Sequence, residues 1–267
     1  MSGSSERAPR GASAGSAAGV SRSDESLAAF VAGSTGYTGQ EIVRALRERG
    51  VRTLAHVRPD SSKLAAFQAQ FGALGAEVDT TPWEEDALTA TFEREKPQVI
   101  FATLGTTRVR AKAEGRDAEA SYRAIDYGLS AMLIRAAVRS GHRPRYVYLS
   151  AMMITDKSTN PYMKARADVE RELRASGLPC TIIRPAIISG EDREDSRPGE
   201  RFAAHAGDAV LGALAFFGAK KLRDRYASLD ARTLAEGMVA AALDPAAEGK
   251  ELEPDALRKA AGEPSKR

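Results

Sequence analysis

Between about residues 27 and 250 the chain alternates short apolar runs with longer stretches in which apolar residues recur every three to four positions. The runs predict strands near 28–33, 52–57, 76–79, 98–103, 145–150 and 180–184. The helical periodicity predicts helices near 38–49, 61–73, 84–95, 117–140, 161–176, 203–218 and 231–243. Strands alternating with helices make a parallel sheet covered on both faces, so the fold class is α/β with a single doubly wound parallel sheet. Right-handed crossovers give the strand order 3-2-1-4-5-6 and gather ligands at the carboxyl ends of the strands, around the switch between strands 1 and 4.

The first strand ends in Gly33-Ser34-Thr35-Gly36-Tyr37-Thr38-Gly39, after which Ile42, Val43 and Leu46 share one helical face. Strand, tight turn and helix in that order form a Rossmann dinucleotide turn. A side chain at Gly33 or Gly36 would keep the backbone away from a pyrophosphate, and the helix N-terminus offers unpaired N–H groups and a favourable dipole. Gly39 lets helix and strand approach closely. The alternative is an ordinary glycine-rich connection. The spacing departs from Gly-x-Gly-x-x-Gly and resembles the short-chain dehydrogenase version, with Thr35-Gly36-Tyr37-Thr38-Gly39 similar to its atypical and extended branches.

The end of the second strand bears on cofactor choice. An NAD site places a carboxylate there for the ribose 2′-OH, but Arg58 stands about 20 residues past the turn, and its planar fork suits a 2′-phosphate. Ser61, Ser62 and Lys63 can add donors, and Asp60 leaves NAD open, so NADP(H) is expected in preference to NAD(H). Asp79, closing the third strand, is a candidate adenine contact, and His56 reads as packed. After the fourth strand, Leu104-Gly105-Thr106 faces the pyrophosphate and nicotinamide ribose in such a sheet, with Gly105 permitting close backbone approach.

With 267 residues and 43% hydrophobic content, one α/β domain suffices. It is bounded at residues 27–250, between a disordered tail (1–26) and a charged C-terminal tail (251–267). The 39 basic and 36 acidic residues nearly balance, which does not amount to a nucleic-acid footprint. The lone Cys180 excludes an internal disulfide and a cysteine-based metal cluster, and no metal is expected. No run reaches the ~18 apolar residues of a membrane span. The N-terminal tail lacks the apolar core of a signal peptide. A cytoplasmic monomer or homodimer is expected, an Arg- and Ser-rich transit peptide being the alternative reading of the tail.

Leu104-Gly105-Thr106-Thr107-Arg108 with Lys112-Ala113-Glu114-Gly115, and Asp192-Arg193-Glu194-Asp195-Ser196-Arg197-Pro198-Gly199-Glu200 following Arg184-Pro185, resemble the Tat-interacting oxidoreductase-like family of atypical short-chain dehydrogenases. The resemblance covers about residues 28–245. It implies NADP(H) binding, with Pro185 among the cofactor-facing residues, and redox or regulatory roles with a small-molecule substrate or a protein partner. The loop from Ala186 to Arg201 has the length and charge of a lid or substrate loop.

Short-chain dehydrogenases carry a serine after the fifth strand and Tyr-x-x-x-Lys on the next helix. The tyrosine exchanges a proton with the substrate oxygen, and the lysine lowers the tyrosine pKa from about 10. The matching residues here are Ser150, Tyr162 and Arg166. Tyr162, Arg166, Val169 and Leu173 form one helical stripe, behind an Asn160 cap and Pro161, whereas Lys164 lies off it at the surface. Arginine at the lysine position can bond ribose hydroxyls but stays protonated and cannot relay a proton. Ser150 is a single hydroxyl where the family shows two in succession, and so reads either as catalytic or as structural. The resulting expectation is an NADP(H)-binding oxidoreductase acting on a small carbonyl or alcohol. The alternative is a non-catalytic NADP(H)-binding redox sensor. A sugar-nucleotide epimerase or dehydratase would usually need a larger C-terminal domain than the roughly 80 residues after Pro185.

Overall fold

A computed structural model of the chain describes residues 27–106, 115, 117–186, 188–189 and 229–262. The expected tail 1–26, the helix 203–218 and most of the loop 186–201 lie outside the described residues.

The elements follow the sequence pattern closely. They are β1 (Ala28–Ala32), α1 (Tyr37–Glu48), β2 (Arg52–His56), α2 (Leu64–Ala73), β3 (Glu77–Asp79), α3 (Glu85–Glu95) and β4 (Val99–Ala102). Then come α4 (Ala118–Ser121), a π-helical segment (Tyr122–Leu129), α5 (Ser130–Arg139), β5 (Arg145–Leu149), α6 (Pro161–Ala175) and β6 (Cys180–Ile183). The chain closes with β7 (Ile188–Ser189), β8 (Leu229–Asp230), α7 (Ala231–Leu243), β9 (Glu251–Leu252) and α8 (Pro254–Ala260). The main sheet is parallel throughout, in the order β3-β2-β1-β4-β5-β6-β9, and β7 and β8 pair separately. This is the doubly wound Rossmann sheet that the alternation predicts.

Successive strand residues point to opposite faces, which divides the core into two layers. Val31, Phe101 and Val147 pack with Ile42, Leu46, Leu234 and Met238, beneath α1 and α7. Phe30, Ile100, Tyr146 and Tyr148 pack with Leu88, Leu133, Val169 and Leu173, beneath α3, α5 and α6. A fully buried side chain of this size contributes about 1.5–3 kcal/mol, so the two layers fix the strand ends from which the candidate site is built.

Two expectations are corrected. The span 117–140 is continuous but not uniformly α-helical, because its middle eight residues are wound as a π-helix. Residues 251–260, read as a charged tail, instead supply the last strand and a helix. Ile183 pairs with Leu252, and Leu257, completely buried, docks on α7 where a side chain at Gly237 would stand 2.6 Å from its carbonyl oxygen. Two leucines and one close approach anchor a segment whose composition is otherwise charged.

Candidate functional site

The three glycines of the first turn have different reasons to be glycine. Gly33 has φ +83°, and a Cβ there would lie 2.7 Å from Thr103 Oγ1 and 2.9 Å from its backbone carbon. A Cβ at Gly39 would overlap the Gly33 carbonyl oxygen. Both are therefore demanded by the protein's own packing. Gly36 is not: its backbone is extended (φ −78°, ψ 163°), and an added Cβ meets only Gly33 O, at 3.3 Å. Its N–H closes the turn onto Gly33 O at 3.0 Å, and it caps α1. An open position at a helix N-terminus fits a phosphate held by backbone N–H groups. The Ser34 hydroxyl is buried and donates to His56 O at 2.6 Å, tying the turn to β2, so Ser34 can offer a cofactor only its backbone. Thr35 O accepts from Gln40 Nε2 at 3.1 Å, Tyr37 opens α1 partly exposed, and Thr38 is buried.

At the end of β2, Arg58 is 59% exposed, with Asp60 at 3.8 Å. Asp79 lies across from His56 on β3, and its carboxylate accepts from Thr81 N and Oγ1 at 3.1 and 3.0 Å. His56 is packed as expected, bonded to Thr81 O at 2.8 Å and edge-on to Trp83, and burial pushes its pKa down.

The centre of the site is a buried ion pair. Asn160 and Pro161 start α6 as expected, the Asn160 side chain accepting from Tyr162 N at 3.0 Å. One turn on, Arg166 Nη2 donates to Asp126 Oδ1 at 3.0 Å and to Leu104 O at 3.3 Å, while Nη1 donates to Leu149 O. Asp126 Oδ2 accepts from Thr106 N at 3.0 Å. Arg166 is 6% exposed and Asp126 fully buried. Burial works against the arginine's charge, but Tyr162, Tyr148 and Asp126 outweigh it and its pKa is raised. Burial pushes the Asp126 carboxyl up, with Arg166 and the Thr106 N–H pulling the other way. Gly105 gains a different explanation here: a Cβ would stand 2.5 Å from Arg166 Nη2, so the exposed glycine makes room for the guanidinium.

Tyr162 is partly exposed, edge-on to Tyr122 at 5.4 Å, with the Arg166 guanidinium 5.1 Å from its ring centre. Lys164 is exposed, as the stripe predicts. Among the described residues, Arg166 Nε, Thr106 Oγ1, Ser121 Oγ, Ser130 Oγ and Tyr148 Oη are buried without a hydrogen-bond partner. Unpartnered buried donors beside an open turn fit a polar ligand at this switch point.

Ser150 is drawn away from this cluster. Its hydroxyl donates to Glu170 Oε1 at 2.6 Å, and Arg184 and Arg174 bind the same carboxylate, at 2.6 and 3.0 Å to Oε2. Burial pushes Glu170 up, but Arg184 and Ser150 outweigh it and hold its pKa below the ordinary value. Glu170 lies eight residues past Tyr162, about 12 Å along the helix axis. The Ser150 hydroxyl is thus engaged by a carboxylate of α6. Pro185 is buried, and its carbonyl accepts from Met152 N at 3.2 Å. Sequence reasoning missed Asp126 and Glu170, both acidic residues lying among apolar positions on helices; that anomaly was the available signal.

The fold and this site define an NAD(P)H-binding Rossmann protein, and the chain belongs to the NAD(P)H-binding family, whose model matches residues 33–241. It is similar to the mitochondrial protein fmp52 of Aspergillus clavatus, 32% identical over 79% of this chain and 85% of the relative. The Coccidioides immitis FMP52 is 29% identical over 86% of this chain and 89% of its own length. Among solved structures, a Bacillus halodurans protein assigned as an NAD-dependent epimerase/dehydratase superposes with TM-score 0.62 at 17% identity, over 89% of this chain and all of that one. A Citrobacter sp. triphenylmethane reductase complexed with NADP(H) superposes with TM-score 0.56 at 15% identity, over 86% of this chain and 70% of that one. These two likenesses define the fold alone. The fungal relatives are named as mitochondrial proteins, which overturns the expected cytoplasmic location. Among the described residues no helix is long and apolar enough to cross a membrane, and no group of three or more His, Cys, Asp or Glu side chains is placed to hold a metal ion.

Proposed function

We propose that this protein is a mitochondrial oxidoreductase that uses NADP(H) to interconvert a small carbonyl compound and its alcohol, with Tyr162 as the proton donor. The observation that carries this reading is the placement of Tyr162 one helical turn from a buried, fixed guanidinium, at the carboxyl ends of β4 and β5. The backbone of Gly33–Gly39 would hold the pyrophosphate, Arg58 the 2′-phosphate and Asp79 the adenosine side, with Leu104, Gly105, Thr106 and Pro185 lining the nicotinamide half. When bound, the cofactor supplies the hydride to the carbonyl carbon. Tyr162, whose hydroxyl has no hydrogen-bond partner among the described residues, gives its proton to the carbonyl oxygen as that carbon is reduced. Arg166 keeps its proton throughout and acts as a fixed positive charge beside the developing oxyanion. Tyr162 then recovers its proton from water, which its partly exposed side chain can reach.

A second reading, an NADP(H)-binding sensor without turnover, is favoured by one observation: the Ser150 hydroxyl is held by Glu170 and offers no second hydrogen bond to a substrate oxygen. Carbonyl and quinone screens followed by NADPH absorbance separate the two. The enzyme reading expects Tyr162→Phe to preserve NADPH affinity within a few-fold and to lower turnover by about 10²-fold or more. Turnover that ignores this substitution rejects the catalytic role of Tyr162. NADPH binding with no turnover of any carbonyl supports the sensor.

A further inference from the structure

The π-helical segment Tyr122–Leu129 faces the helix that carries Tyr162 and Arg166. Tyr122 and Asp126, four residues apart, share one face of it, directly against Tyr162 and Arg166 of α6, themselves four residues apart. Two facing pairs result, one aromatic and one ionic. Asp126 is fully buried, yet lies on the apolar side of its helix. One of its oxygens takes the Thr106 N–H and the other the Arg166 Nη2, each at 3.0 Å. It thereby ties together three elements: the turn after β4, the helix that carries Tyr162, and its own helix. A buried carboxylate removed from a neighbouring guanidinium leaves an uncompensated charge, so the cation's position depends on its partner.

We propose that Asp126 is a positioning residue: through Arg166 and the Thr106 N–H it sets the turn after β4 and the guanidinium in the arrangement that receives the nicotinamide half of NADPH. This rests on the reading that the switch point binds NADPH, and is independent of whether Tyr162 performs chemistry. Asp126 touches neither cofactor nor substrate; it acts through Arg166.

The test is a double-mutant cycle read in NADPH binding on the full-length protein. Asp126→Asn and Arg166→Met are each expected to weaken NADPH by about tenfold, the scale of one charge-assisted hydrogen bond. The double variant should be no weaker than either single one, because both remove the same arrangement. Losses that multiply to about a hundredfold would overturn the proposal, as would parent-like binding by Asp126→Asn. If Asp126→Asn does not fold, Arg166→Met is compared with the double variant, which buries no unpaired charge; equal affinities support the proposal and a further tenfold loss overturns it. A second readout excludes a merely structural role. At saturating NADPH the bound fluorescence of the double variant should match that of Arg166→Met and differ from the parent's. A parent-like spectrum would mean that the guanidinium does not bear on the nicotinamide, and the proposal falls. Tyr162→Phe, run alongside, should bind NADPH as the parent does. If turnover ignores that substitution the catalytic reading fails, while the binding cycle still decides the role of Asp126.

Discussion

Ser150→Ala separates a structural hydroxyl from a catalytic one. The Oγ–Oε1 distance of 2.6 Å marks a short hydrogen bond to a carboxylate, and the two residues are 3% and 1% exposed, so solvent screens it little. Such bonds contribute about 1.5–3 kcal/mol. Glu170 retains Arg184 and Arg174 when the hydroxyl is lost, which keeps the carboxylate paired and places the expected cost near the lower part of that range, about 2 kcal/mol. For a domain of this size about 2–4 °C of melting temperature corresponds to 1 kcal/mol, so the midpoint should fall by about 4–8 °C. Scanning calorimetry measures the midpoint, NADPH fluorescence titration the affinity, and initial rates on an accepted carbonyl the turnover. Affinity and turnover at a temperature well below the transition should stay within about threefold of the parent, because the hydroxyl's partner, Glu170, lies two turns of α6 beyond Tyr162. An unchanged midpoint together with a turnover loss of about 10²-fold would refute the structural assignment and return the hydroxyl to the substrate oxygen.

The glycine turn yields a contrasting pair. Gly36→Val should leave a folded domain and abolish NADPH binding, whereas Gly39→Ala should fail to fold because its Cβ overlaps Gly33 O; circular dichroism and calorimetric titration read both, and a folded Gly36→Val that binds like the parent would misplace the phosphate. Arg58→Ala should weaken NADPH by about 1–1.5 kcal/mol, the low end for a charged hydrogen bond because the side chain is 59% exposed, and leave NADH unchanged. Equal affinity of the parent for the two cofactors would remove that role.

What the sequence revealed and what it hid divide along local and non-local lines. The strand–turn–helix of Gly33–Gly39, the strand order and the stripe carrying Tyr162 and Arg166 all depend on spacings within one or two elements, and periodicity reads those. The Arg166–Asp126 pair joins positions 40 residues apart, and the Ser150–Glu170 bond positions 20 apart, so neither has a signature at short range. The π winding of 122–129 adds no special residue type to the sequence. β9 is two residues long, and Glu251 and Leu252 flank no apolar run; what holds them is the edge of β6, which only the assembled sheet creates. At Gly105 the residue type was legible but its cause was not, since the neighbour that needs the space lies on another element.

That neighbour makes positions 105 and 166 a single choice for anyone redesigning this pocket. A methyl group added at 105 collides with Nη2, not with backbone, so the obstacle is removable by shortening the side chain at 166. Libraries that vary either position alone will score nearly every change at 105 as fatal. Varied jointly, an unbranched or smaller residue at 166 should admit alanine or serine at 105, enlarging the variants open to the turn after β4.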